Sequence, residues 1–108
     1  MLTLRGPDEL ADLRRDADAF LVLAGSSGYV RARVAGYLAA LDWIDGRAAA
    51  PVSGRDVPTT DDEMLTELGH AVDAEERARY GHEDGTFEGC AGELLAWVLG
   101  QGNTPRPL

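Results

Sequence analysis

The chain has 108 residues, with 19 acids against 10 basic residues, a formal net charge of −9 and a pI of about 4.5. That length predicts a single domain, and an apolar content of 44% excludes a disordered acidic tail. One cysteine, Cys90, excludes the disulfide-stapled class and fits a reducing compartment.

The longest apolar run, residues 19–24, falls well short of the roughly 20 residues that span a bilayer, and no charged leader precedes it. The expectation is a cytoplasmic protein with no membrane partner. Every basic residue is arginine, and with 16 alanines and one isoleucine this reads as the codon footprint of a GC-rich bacterial genome. The charge is polarised: residues 1–54 carry 6 arginines and 7 acids, net −1, whereas residues 55–108 carry 4 arginines and 12 acids, net −8. Such a half repels phosphate backbones, so direct nucleic-acid binding is not expected.

In chain order, Leu10, Leu13, Ala17, Phe20 or Leu21, and Ala24 recur at helical spacing and predict a first helix from Asp8 to about Ala24, opened by Pro7 and Asp8. Gly25 to Gly28 breaks it, with Ser26 or Ser27 placed to cap the next element. Val30, Val34, Tyr37, Leu38, Leu41 and Ile44 predict a second helix from Tyr29 to Asp45, stopped by Gly46. Gly36 and Ala40 leave room on it for a neighbouring helix. Residues 47–58, with two prolines, read as an irregular linker.

Thr60 and Glu63 have capping-box spacing and start a third helix, with Met64, Leu65, Leu68, Ala71 and Val72 as its expected buried face. After a polar turn at residues 81–85, Thr86 is the expected cap of a fourth helix, whose buried stripe is Phe87, Cys90, Ala91, Leu94, Leu95 and Val98. Residues 101–108 read as a loose tail. The fold class is therefore all-α, four helices in two antiparallel hairpins; a strand at residues 20–24 would make it α+β instead. The halves 1–54 and 55–108 align with 8 identities in 54 pairs, among them Leu41/Leu95, Trp43/Trp97 and Gly46/Gly100, which suggests a pseudo-repeat.

No catalytic constellation and no cofactor site is expected. The stretch Leu21-Val-Leu-Ala-Gly25-Ser-Ser-Gly28 resembles the opening of a short-chain nucleotide-sugar epimerase, which implies a nucleotide-binding βα unit. Arg31 stands where that fingerprint has its third glycine, and no second βαβ unit follows. Glu63, Glu67 and His70, at i, i+4 and i+7, could share a stripe and form half of a helical carboxylate metal site; a solvated face is the simpler reading. Cys90 reads as a small core residue.

Trp43 and Trp97 fall toward the edges of their stripes; large core-edge side chains closing the bundle are the simpler reading, and the alternative is that with Tyr29 or Tyr37 they form an aromatic patch for partner docking or homodimerisation. Arg31 and Arg33, with Arg14 and Arg15, could add a basic cluster. Asp61, Asp62, Glu75, Glu76, Glu83 and Asp84 belong to the acidic half and could face a protein partner. The reading is a non-enzymatic, acidic interaction or regulatory factor with an unknown protein partner. The alternatives are an acidic mimic of nucleic acid and a helical metal-binding protein.

Overall fold

A computed structural model describes residues 6–24, 28–81, 84–100 and 106–107. They form α1 (Pro7–Ala24), α2 (Gly28–Ile44), α3 (Asp61–Tyr80) and α4 (Thr86–Leu99), with no strand among them. The segment 20–24 is helical, so the α+β alternative and the epimerase-like βα unit are both overturned. Leu21 continues the stripe of α1, and the helix runs on through Phe20, Val22 and Leu23 although their side chains are exposed. Ser26, Ser27, His82 and Glu83 lie outside the described residues.

Short-range signals set the helix ends. The Thr60 hydroxyl accepts from the Glu63 amide at 3.2 Å and caps α3. The reciprocal half of the capping box is not made, because Glu63 pairs with Arg55 at 2.9 Å and the Thr60 amide donates to Pro58. Thr86 does not cap α4; it is the first helical residue, and the preceding Asp84 carboxylate accepts from both its amide and its hydroxyl. Gly46 and Gly100 take left-handed φ values of 76° and 68°, and their amides donate to the carbonyls of Trp43 and Trp97.

The most apolar helix, α4, lies between α2 and α3, whereas α1 packs on α2 alone among the helices. Close approach is built from glycine. A Cβ at Gly36 would collide with the Phe87 carbonyl and lie 3.0 Å from the Cys90 Cβ, and one at Gly92 would lie 2.8 Å from the Ala71 Cβ. Tyr37, Leu41, Leu94, Leu95 and both tryptophans share one core.

The placement of the tryptophans follows the simpler of the two sequence readings. Trp43 is 1% exposed and Trp97 4%, so they are core residues, not an edge patch. The residues 47–58 supply the cover: the Trp43 indole N–H donates to Val57, and the Thr59 hydroxyl donates to the Trp43 carbonyl. The tail is also tied down where it is described, with Pro107 buried and Arg106 bonded to Asp16 of α1 at 2.5 Å.

Candidate interaction surface

The residues between α2 and α3 are anchored by Glu67, which helical spacing marked as a candidate metal ligand and not as a structural clamp. Glu67 is fully buried. Its Oε2 accepts from the amides of Val52 at 2.6 Å and Ser53 at 2.8 Å, and its Oε1 accepts from the Ser53 hydroxyl at 2.7 Å. A tight turn presents those donors, closed by the Gly54 amide to the Ala50 carbonyl and by the left-handed φ of Gly54. Three donors use the carboxylate, Glu63 belongs to Arg55, and His70 is exposed. Glu63, Glu67 and His70 therefore do not converge, and no three potential ligands cluster for a metal among the described residues.

A second polar network crosses the seam between α2 and α4. Arg33 donates to the Tyr37 hydroxyl at 3.1 Å, and that hydroxyl donates to Glu93 at 3.0 Å. Burial pushes the Tyr37 phenol up from its ordinary value, and the Arg33 hydrogen bond opposes that only in part. The same bond to Tyr37 raises the Arg33 guanidinium further, and burial raises the Cys90 thiol, which favours its neutral form in the core. Arg33 also sits 5.9 Å from the ring centres of Tyr29 and Tyr37. The structure thus joins Arg33, Tyr29 and Tyr37, as a network facing α4, and leaves Arg31 exposed elsewhere on α2.

The network opens into a polar groove of about 590 Å³, bordered by Glu75 and Arg79 of α3 and by Gly89 of α4. Glu75 lies over Gly89, beside the start of α4, and pairs with Arg79 at 3.4 Å. A carboxylate there complements the positive end of α4. A more apolar groove of about 650 Å³ runs between α1 and α2, over Leu10, Ala11, Leu41 and Ile44. Two of its three arginines are engaged, Arg14 by Asp42 at 2.8 Å and Asp45 at 3.0 Å, and Arg15 by Asp12, and the third, Arg47, lies exposed at its end.

The outer face of α3 differs from both grooves. Met64 and Ala71 are buried as expected, but Leu65 and Val72, expected on the same buried face, are 37% and 53% exposed. The cause is tertiary: α3 packs on α4 alone among the helices, and one helix cannot cover so wide an apolar arc. Leu65, half-buried Leu68 and Val72 form one ridge at i, i+3 and i+7. The next ridge carries Asp62, Gly69, Asp73 and Glu76, all exposed, and Asp61 stands at the start of the helix. Asp84 is exposed in the turn before α4, its carboxyl held below the ordinary range by the Thr86 hydroxyl and amide.

Among the described residues, no helix is long and apolar enough to cross a membrane. Compared with known proteins, the chain matches no protein-family model, no curated protein and no solved structure.

Proposed function

We propose that this chain is a non-enzymatic, cytoplasmic interaction factor that works by binding another protein through its acidic second hairpin. The observation that carries this reading is the outer face of α3, where exposed Leu65 and Val72 lie beside exposed Asp62, Asp73 and Glu76. Apolar side chains left in water on a helix flank are what a protein partner covers. A phosphate mimic needs carboxylates alone, so the apolar ridge favours a protein partner over the nucleic-acid-mimic reading. The metal-binding reading has lost its central ligand, since the oxygens of Glu67 hold the turn at residues 50–55.

The test is affinity capture with the full chain from a lysate of its source, at low and at high salt. A specific protein retained at low salt and weakened at high salt is the expected result. A strictly monomeric chain that retrieves nothing at either salt concentration removes the reading.

A further inference from the structure

Resting on that reading, we infer that the outer face of α3 docks a cationic amphipathic helix of the partner protein, with Leu65, Leu68 and Val72 receiving its apolar stripe and Asp62, Asp73 and Glu76 pairing with its basic flank. The spacing of the ridge, i, i+3 and i+7, is the register at which one helix meets another. Helical spacing turns Arg77 away from this ridge, and Arg79, at its far end, is paired with Glu75. The face therefore presents carboxylates around an apolar strip, with its arginines, Arg77 and Arg79, confined to the last turn of α3.

Charge complementarity selects among occupants. A second copy meeting α3 face to face would set Asp62, Asp73 and Glu76 against their own duplicates, and like charges so placed oppose docking. The groove between α1 and α2 offers no cationic strip either, because Arg14 and Arg15 are paired with Asp42, Asp45 and Asp12, and Arg47 is a single charge at its end. Phosphate backbones and anionic lipid are repelled by the same carboxylates. A helix carrying arginine or lysine beside leucine satisfies both the apolar ridge and the acidic one.

The experiment uses the full chain and a fluorescein-labelled 18-residue synthetic helix with leucine on one stripe and arginine on its flanks, read by anisotropy. Leu65→Ser with Val72→Ser keeps the charge and removes the exposed ridge, and circular dichroism verifies folding. Binding is expected to weaken at least about tenfold. Asp62→Asn, Asp73→Asn and Glu76→Gln together should weaken it and flatten its salt dependence. The matched neutralisation of Asp8, Glu9 and Asp12 on α1 should leave it within about twofold.

Equal binding by the Leu65→Ser, Val72→Ser chain would overturn the inference, and so would an equal loss on neutralising α1, since net charge alone would then suffice. A wild-type dimer in sedimentation that this double variant renders monomeric would also overturn it, in favour of a second copy. If the double variant still retrieves the lysate partner, only the α3 site fails; if the wild type retrieves none, the broader reading fails with it.

Discussion

Leu13 of α1 and Glu67 of α3 are each the seventh residue of their helix, and both are fully buried. Around them the two hairpins run in parallel: α1 and α3 begin 54 positions apart, and α2 and α4 both stop at a left-handed glycine three residues after a buried tryptophan. The segment after α2 returns to α3 through Glu67, and the segment after α4 returns to α1 through Arg106 and Asp16. At the seventh position the chemistry departs. A carboxylate fixes the exact donors of the Ala50 to Arg55 turn, whereas leucine supplies burial without direction. The hairpins also expose apolar side chains in different places. The first does so at the end of α1 and start of α2, through Phe20, Val22, Leu23 and Tyr29, and the second along the acidic flank of α3.

Truncating the two seventh residues is the strongest way to break this comparison. Glu67→Ala should cost about 4 kcal/mol, because two backbone amides and a hydroxyl lose their acceptor inside the protein. Leu13→Ala should cost about 3 kcal/mol by cavity formation. Hydrogen exchange separates the causes: the Val52 and Ser53 amides should lose protection selectively in Glu67→Ala, and equal loss in both variants would deny the clamp its local role.

The seam between the hairpins comes next. Gly36→Ala sets a methyl against the backbone of α4 and should destabilise by about 2 kcal/mol, despite alanine's better helix propensity. Gly69→Ala, with open space around it, should instead stabilise by about 0.5 kcal/mol in urea unfolding. The helix stops give a smaller, matched pair. Gly46→Ala and Gly100→Ala should each cost about 1 kcal/mol, and a large inequality between them would show that the hairpin ends bear different loads.

Tyr37→Phe should cost about 1 kcal/mol at neutral pH. Because folding raises the Tyr37 phenol, its contribution is intact below the ordinary phenol value of about 10 and is lost progressively as pH rises above it toward the higher folded value. Stability measured between about pH 8 and pH 11 should therefore fall less in Tyr37→Phe than in the wild type.

Much of the secondary structure was legible because its causes lie within a few residues of one another. The Thr60 cap, the Gly46 and Gly100 stops and the periodic stripes of all four helices act over a turn or two of chain. Even the choice between Phe20 and Leu21 follows from phase, with Leu21 the more covered of the two. The candidate surface was not legible on the same terms. Leu65 and Val72 have the spacing of core residues, and Trp43 and Trp97 fall toward the edge of their stripes. Which of them meets water depends on the partner helix, not on the stripe.

The sequence by itself therefore determined four helices, their stops and a charge gathered in the second half, since propensity, capping and composition are local or additive. Tertiary structure alone decided that α4 would be central and that α3 would have a single helix to pack against. It also placed residues 47–58 over Trp43 and on Glu67. Those outcomes turn on contacts between residues far apart in the chain, and one consequence is that an acidic, partly apolar face is left in water.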